Sequence, residues 1–326
     1  MDRILEYKIS AVDAGKTIND FLKEKGYSRQ NVVELKKMSE SILIDGKWEY
    51  VTYRVQEGNL LQIRIKEMES SEKIVPVDLP FPILYEDEDI LVINKPADMP
   101  THPSLNNYEN TLANAAAFYF NNKGQAFCFR CINRLDRDTT GLTILAKHMV
   151  SCSMLQEDML HRRIKREYLA IVDGVIAADE GTIDAPIGRK EGSTIERMVD
   201  YEKGERAVTH YSVLERKKEV TLVSLRLETG RTHQIRVHMA SIGHPLIGDF
   251  LYHSEDKRMQ RQALHAWHLS FTHPITGEEM KWEAPIPKDM EAFWANDFSV
   301  VSLVGKKYIP YILHNICRIQ CVNIGL

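Results

Sequence analysis

The stretch that decides the fold runs from residue 133 to residue 147, Asn133-Arg134-Leu135-Asp136-Arg137-Asp138-Thr139-Thr140-Gly141-Leu142-Thr143-Ile144-Leu145-Ala146-Lys147. Its first half is a charged loop that ends at a turn glycine, and its second half is an apolar run of strand length. A loop that leads into a buried strand can hold a side chain rigidly at the edge of a cleft. Asp136 lies between Arg134 and Arg137, and flanking guanidinium groups favour an ionised carboxylate. Asp136 is therefore the first candidate for a functional residue.

The spacing of these charges also fits a surface turn with fortuitous ion pairs, so the detailed motif matters more than the spacing. N-R-L-D-R-D-T-T-G-L, residues 133–142, resembles the catalytic signature H-R-L-D-R-x-T-S-G-L of the RluA-type pseudouridine synthases. Asn133 replaces the usual histidine and Thr140 replaces the usual serine. Asp136 matches the catalytic aspartate of the family, and the resemblance implies that it has the same role here.

Two later segments carry the same resemblance. Residues 165–170, K-R-E-Y-L-A, resemble the K-x-Y motif of the family, which implies that Tyr168 faces the active site. Without the resemblance, a tyrosine in a strand is expected in the core. Residues 228–249 contain R-T-H-Q-I-R-V-H, which resembles the family motif R-x-H-Q-I-R-x-H. An arginine of that motif pairs with the catalytic aspartate, and by position we assign this role to Arg236, with Arg231 as the second choice.

Basic and polar side chains near these motifs are candidates for contact with RNA. The net charge of −4 does not by itself indicate a nucleic-acid-binding protein. Local patches are more informative than the total, and residues 161–166 are strongly basic, although each patch alone also fits a solvated face. The predicted RNA-binding residues are Arg134, Arg137, Arg162, Arg163, Lys165, Arg231, His233 and Gln234.

Composition excludes several other classes of protein. The 326 residues contain no apolar run long enough to span a bilayer, and the first six residues lack the shape of a signal peptide. The five scattered cysteines suggest the reducing cytoplasm, and Cys128 and Cys131 have no second pair at zinc-ligand spacing. His233 and His238 are not spaced as in H-E-x-x-H, and no dinucleotide or phosphate loop is visible. We expect no metal, no cofactor and no membrane partner.

The first 66 residues are predicted to form a small α/β module. Thr17 and Ser28 are placed to cap two short helices, and Asp45-Gly46 between apolar runs predicts a hairpin. This arrangement resembles the alpha-L RNA-binding module that often precedes these synthases. Its nearly balanced charge leaves a purely structural cap domain as an alternative.

The rest of the chain divides into three predicted parts. Residues 67–82 read as a linker, residues 83–297 as the catalytic domain, and residues 298–326 as a tail of unknown role. The tail either packs as an extra strand and helix or is poorly ordered. The resemblance implies an α+β catalytic fold, with a mixed, mostly antiparallel sheet flanked by helices and loops, and our irregular order of strands and helices agrees.

Within the catalytic domain, the patterns predict particular elements. Residues 83–94 predict a hairpin, residues 111–122 and 150–163 predict helices, and the basic patch would end the second of these helices. Residues 184–206 carry turns and mixed charge and are predicted to be a loop. Thr232 can cap a helix with the apolar stripe Ile235, Met239 and Ile242.

The reaction implied by the resemblance explains the residues required. Forming pseudouridine breaks the bond from the sugar to ring nitrogen 1 and rejoins the ring through carbon 5, without redox change. It needs an ionised carboxylate, a closed pocket and a nucleotide flipped from its stack. Asp136 would supply the carboxylate, Arg236 would keep it ionised, and Tyr168 would stack on the ring or help to remove the proton from carbon 5.

We therefore expect a monomeric cytoplasmic isomerase that acts on structured RNA, ribosomal rather than transfer RNA. A non-catalytic RNA-binding protein on the same scaffold is one alternative, although the intact Asp136 argues against it. A glycosidase using Asp136 and Asp138 as a carboxylate pair is another. It would leave Arg137 and the R-x-H-Q-I-R segment without a role.

Overall fold

In a computed structural model, the structure describes residues 1–71, 73–104 and 107–296. The chain is mixed α+β, with a nine-stranded, mostly antiparallel sheet and a separate four-stranded sheet at the N-terminus. The predicted tail, residues 298–326, lies outside the described residues. Among the residues that are described, no helix has both the length and the apolar character needed to cross a membrane.

The N-terminal unit is an antiparallel sheet in the order β1-β4-β2-β3 with two helices. Its elements are β1 (Asp2–Lys8), α1 (Ile18–Glu24), α2 (Arg29–Lys37), β2 (Ile42–Ile44), β3 (Lys47–Trp48) and β4 (Leu60–Lys66). The side chains of Thr17 and Ser28 cap the two helices, as predicted. Asp45 and Gly46 both have positive φ, at 49° and 78°, which confirms the predicted two-residue hairpin turn.

The large sheet has the strand order β5-β6-β7-β14-β8-β13-β12-β9, and β15 pairs with β14. Its elements and those packed around it are, in chain order, β5 (Ile83–Glu86), β6 (Ile90–Lys95), α3 (Leu112–Asn122), β7 (Thr140–Ala146), α4 (Met149–Leu160), β8 (Lys165–Asp173), β9 (Glu180–Asp184), β10 (Ile187–Arg189), β11 (Arg197–Val199), β12 (Val208–Arg216), β13 (Val220–Leu227), α5 (Gln234–Ser241), β14 (Leu264–Thr272), β15 (Glu279–Glu283) and α6 (Lys288–Asn296).

The middle of this sheet contains a parallel pairing between β7 and β14, where Thr140 faces His265 and Gly141 faces Ala266. Gly141 has φ of +113°, and a Cβ there would lie 2.2 Å from the carbonyl oxygen of Ala266. Only glycine permits both this backbone conformation and this close approach. The motif glycine is therefore required where the loop of Asp136 enters the centre of the sheet.

Three local predictions need correction. The helix predicted over residues 150–163 ends at Leu160, so the whole basic patch, residues 161–166, follows the helix instead of forming its last turn. Helix α5 begins at Gln234 with His233 as its N-cap, so the prediction that Thr232 caps it is wrong. The segment predicted as a loop, residues 184–206, contains the short antiparallel pair β10 and β11.

The N-terminal unit packs directly against the large sheet and α4. The Nε atom of Arg3 donates to Oδ1 of Asp89 at 2.9 Å, and the amide of Asn31 donates to the carbonyl oxygen of Met149 at 3.2 Å. Met154 of α4 belongs to the same apolar core as Phe21 of α1. The two sheets are therefore joined by shared packing as well as by residues 67–82.

Candidate active site

Two buried cations hold the backbone of the loop that carries Asp136. The Lys95 ammonium donates to three carbonyl oxygens, among them that of Arg137 at 2.9 Å. The Arg261 guanidinium donates to the carbonyl oxygen of Asp138 at 3.1 Å. Both cations are buried, so the peptide groups that follow Asp136 are fixed from inside the protein.

Asn133, which stands where the family signature has histidine, anchors the loop by hydrogen bonds to the backbone of β7. Its Nδ2 donates to the carbonyl oxygen of Leu142 at 2.9 Å, and its Oδ1 accepts from the backbone N–H of Ile144 at 3.0 Å. The hydroxyl of Thr101 donates to the carbonyl oxygen of Leu135 at 2.9 Å. Asn133 therefore provides a rigid connection between the loop and β7.

Asp136 and Arg236 form the contact that was predicted. Nη1 of Arg236 donates to Oδ2 of Asp136 at 3.3 Å, with side-chain exposures of 3% for the arginine and 28% for the aspartate. Arg231, the second choice, instead pairs with Glu205 and donates to the carbonyl oxygen of Arg206. The predicted ion pair is thus confirmed in geometry for Arg236 and not for Arg231.

The paired hydrogen bonds of Arg236 go to a different carboxylate from the one predicted. Nε and Nη2 donate to the two oxygens of the fully buried Asp249, each at 2.7 Å. We predicted these paired bonds for Asp136, which receives a single bond. Burial lowers the pKa of Arg236, but the bonds to Asp249 and the nearby carboxylates raise it above its usual value. Asp249 was missed although it ends the G-D pair of the third motif.

Two aromatic rings flank the Arg236 guanidinium, and neither was singled out from the sequence. The guanidinium carbon lies 5.1 Å from the centre of the Tyr252 ring and 5.7 Å from that of Phe250. Both rings come from the turn that follows Asp249, whose Oδ1 accepts the backbone N–H groups of Leu251 and Tyr252 at 3.0 and 3.1 Å. One carboxylate therefore fixes both the arginine and the turn that covers it.

His233 belongs to the same network. The Tyr252 hydroxyl oxygen accepts from the backbone N–H of Arg197 at 2.9 Å and lies 2.8 Å from Nδ1 of His233. Burial lowers the pKa of His233, although the Asp136 charge opposes this. For the neutral ring, the hydroxyl donates to Nδ1, which leaves the proton on Nε2, 3.9 Å from Oδ2 of Asp136.

Tyr168 lies in the interior beside the loop that carries Asp136. It is buried in one apolar cluster with Leu135, Leu225 and Ala266. Burial raises the pKa of Tyr168, and the Asp136 charge adds to the rise while Arg166 opposes it. The ring is therefore part of the core and packs in the same cluster as Leu135, the residue before Asp136.

Most of the basic residues predicted to bind RNA are exposed and hold carboxylates of the protein itself. Arg162 pairs with Glu228 at 2.9 Å and Arg163 with Asp158 at 2.6 Å. Arg137 likewise pairs with Asp138, whereas Lys165 donates to the carbonyl oxygen of Arg162. Exposed ion pairs contribute little to stability, so RNA phosphates can compete for these cations.

Arg134 differs from these residues. Its side chain is exposed, and within the described ranges of the chain no carboxylate pairs with it. Arg134, two residues before Asp136, is therefore a cation that RNA phosphates can contact without displacing a carboxylate of the described residues.

The expectation that Gln234 binds RNA does not fit its position. The side chain is buried, and its amide nitrogen Nε2 donates to the carbonyl oxygen of Val208 and to the Thr209 hydroxyl, both at 3.0 Å. Its Oε1 accepts from the Thr229 hydroxyl and the Arg231 backbone N–H. The side chain holds β12 against the start of α5, which leaves no polar atom for RNA.

His238 and a cluster of two aspartates and a histidine are the places where metal-ligand atoms can be sought. His238 is buried between the Thr209 hydroxyl and the Ala185 carbonyl oxygen, at 2.8 and 2.9 Å. In the described part of the chain, one group has suitably close ligand atoms, and it consists of Asp87, Asp89 and His273. Protein donors already bind both carboxylates of that group, including His273 itself. We assign no metal to either place.

Comparison with known proteins agrees with this arrangement. A profile of the family described as RNA pseudouridylate synthase matches residues 89–241. The chain is 42% identical over 274 residues to the uncharacterized RNA pseudouridine synthase YjbO of Bacillus subtilis, covering 84% of this chain and 96% of that protein. It is 40% identical over 279 residues to the ribosomal large subunit pseudouridine synthase D of Escherichia coli, covering 81% and 84%.

A solved structure gives the same result. The human RNA pseudouridylate synthase domain containing 1 aligns with a TM-score of 0.56 and 25% identity, covering 76% of this chain and 97% of that chain. The fold, the Asp136 loop and the relatives at 40% identity and above all lead to one conclusion. The chain belongs to the RNA pseudouridylate synthase family, an isomerase family that converts uridine in RNA to pseudouridine.

Proposed function

We propose that the chain forms pseudouridine in large-subunit ribosomal RNA and that Asp136 is its catalytic carboxylate. The observation that carries this assignment is the contact between Asp136 and the buried guanidinium of Arg236 at 3.3 Å. Asp136 is partly exposed, while the groups that hold it are buried. This is the arrangement needed for a charged group that must be rigid and yet reach a substrate.

Arg236 supports the ionised form of Asp136 without surrounding it. The arginine gives its paired bonds to Asp249 and a single longer bond to Oδ2 of Asp136, so it leaves Oδ1 of Asp136 without a bond from the guanidinium. A carboxylate held by fewer hydrogen bonds gives up less hydrogen-bond energy when it approaches the reacting sugar or ring. Asp136 thereby supplies the charge that cleavage of the bond to ring nitrogen 1 requires.

Tyr168 and His233 complete the proposed site. Tyr168 packs in the core beside Leu135, the residue before Asp136. We assign it the role of stacking on the detached uracil or helping to move the proton from carbon 5. His233 directs its Nε2–H toward Asp136 and fixes its own ring through Tyr252. We assign His233 a positioning role beside the RNA contact expected from the sequence.

The choice of RNA is part of the proposal. A relative that is 40% identical is named for the large ribosomal subunit, which favours ribosomal over transfer RNA as the substrate. We further propose that the protein acts as a monomer in the cytoplasm. Arg134, Arg137, Arg162, Arg163, Lys165 and Arg231 would contact phosphates, which position an RNA without reading its sequence.

The Asp136→Asn variant tests the catalytic assignment. Amide replacement removes the charge but nearly preserves the shape, so we expect no pseudouridine in transcribed large-subunit ribosomal RNA, with folding and RNA binding retained. Pseudouridine mapping by chemical modification and reverse transcription, alongside circular dichroism and a binding isotherm, measures these three properties. Substantial turnover by the purified variant would overturn the role of Asp136. Transfer RNA transcripts, assayed in parallel, decide the substrate class.

A further inference from the structure

Phe250 is an exposed aromatic residue at the edge of the active site. The residue is 50% exposed and lies in the turn that follows Asp249. Single exposed apolar residues are common on protein surfaces. This one is held in place, because Oδ1 of Asp249 accepts the backbone N–H groups of Leu251 and Tyr252.

The position of the ring relative to Asp136 distinguishes Phe250 from other exposed apolar residues. Its centre lies 5.7 Å from the guanidinium carbon of Arg236, and the same guanidinium donates to Asp136 at 3.3 Å. A single guanidinium group therefore separates the ring from the proposed catalytic carboxylate.

The two aromatic residues near Asp136 lie at different depths. Tyr168 is 4% exposed and belongs to the core, which suits contact with a base inside the pocket. Phe250 is half exposed beside Arg236, so a strand that delivers a nucleotide to Asp136 can contact its ring. Aromatic side chains stack on bases of any sequence because every base has a π-face.

We propose that Phe250 stacks on the base of the nucleotide adjacent to the target uridine and so holds the RNA strand while the uridine is flipped. This inference rests on the proposed function of the site. Stacking would replace the neighbour that the adjacent base loses when the uridine leaves the helix. The cost of flipping would be partly offset by this contact.

Three substitutions separate stacking from simple coverage of Arg236. Phe250→Ala should weaken binding to a transcript of large-subunit ribosomal RNA about tenfold, as loss of one base stack predicts. Phe250→Leu keeps an apolar cover on the guanidinium but removes the π-face, so it should weaken binding similarly. Phe250→Trp should retain affinity. Tyr201→Ala, which removes a ring that is 78% exposed, is the matched control and should bind normally.

Removing the base instead of the ring identifies the nucleotide. In a transcript whose target is mapped with the wild-type protein, an abasic residue on one side of the uridine should weaken binding to wild type but not further weaken Phe250→Ala. Unchanged affinity of Phe250→Ala, or wild-type affinity of Phe250→Leu, would overturn the proposal. Failure of the wild-type protein to form pseudouridine would instead overturn the proposed function, and the affinities would still decide the role of Phe250.

Discussion

Arg236 and Asp249 form a buried ion pair with two parallel hydrogen bonds, each 2.7 Å long. Such paired geometry is among the strongest contacts between side chains. It fixes the position of the arginine and leaves Nη1 as the atom that reaches Asp136. The charge that supports Asp136 is thus positioned by a carboxylate that does not itself contact Asp136.

Replacing Arg236 by lysine should lower the turnover number at least about tenfold, roughly 1.4 kcal/mol of barrier. Lysine keeps the charge but lacks the planar fork, so one ammonium cannot bind Asp249 through two bonds and also reach Asp136. Single-turnover kinetics with the ribosomal transcript give the chemical rate, and a binding isotherm should show a smaller effect on affinity. Near wild-type turnover would mean that a point charge without the planar fork is sufficient to support Asp136.

Replacing Asp249 by asparagine should reduce the free energy of unfolding by about 3 kcal/mol, because the buried Arg236 loses its counterion. Urea denaturation at neutral pH measures this change. Asp179→Asn is the matched control, since Asp179 is an exposed partner of Arg216 and should contribute at most about 1 kcal/mol. Equal effects of the two substitutions would show that Asp249 is not the anchor of the site.

Neutralising Arg162 and Arg163 together should weaken RNA binding for all sequences and flatten its dependence on salt. Each lost phosphate contact should reduce the slope of log affinity against log salt by about 0.7 to 0.9. Filter binding at several salt concentrations gives this slope, with Lys281→Ala as a control at another exposed ion pair. An unchanged slope would place the two arginines on a solvated face away from RNA.

Replacing Glu86 by glutamine should destabilise the protein at pH 7 by about 1 kcal/mol through weakened charged hydrogen bonds. Burial raises the pKa of Glu86, but bonds from Lys123, Tyr119 and Lys147 outweigh it and lower the pKa from 4.5 to about 2. The stabilisation by the ionised carboxylate is therefore complete above pH 4.5 and is lost as pH falls toward 2.

The difference in unfolding free energy between wild type and Glu86→Gln should accordingly shrink between pH 5 and pH 2, roughly the interval between the two pKa values. Urea denaturation at several pH values in this interval provides the measurement. Glu279→Gln, at an exposed ion pair on β15, should show little difference from wild type throughout. A difference that is constant with pH would exclude Glu86 as the group responsible.

Local sequence determined many of the elements around the site. Thr17 and Ser28 cap the helices that follow them, and Asp45-Gly46 makes the hairpin, because caps and tight turns depend on hydrogen bonds and dihedral angles within a few residues. The motif around Asp136 likewise identified the carboxylate and, through the family resemblance, its arginine partner. These features need no knowledge of distant parts of the chain.

Tertiary structure decided how the charged side chains are shared. Asp249 accepts the paired hydrogen bonds of Arg236, and Gln234 forms its hydrogen bonds inside the protein. His233 faces Asp136 instead of open solvent. The partner of a charge depends on which segments meet and how deeply they are buried, and Asp136 lies 100 residues from Arg236 in the chain. Parallel pairing of β7 with β14 brings the loop of Asp136 to the centre of the sheet. Burial then makes each unpaired charge so costly that the packed fold, and not the local pattern, selects the partners.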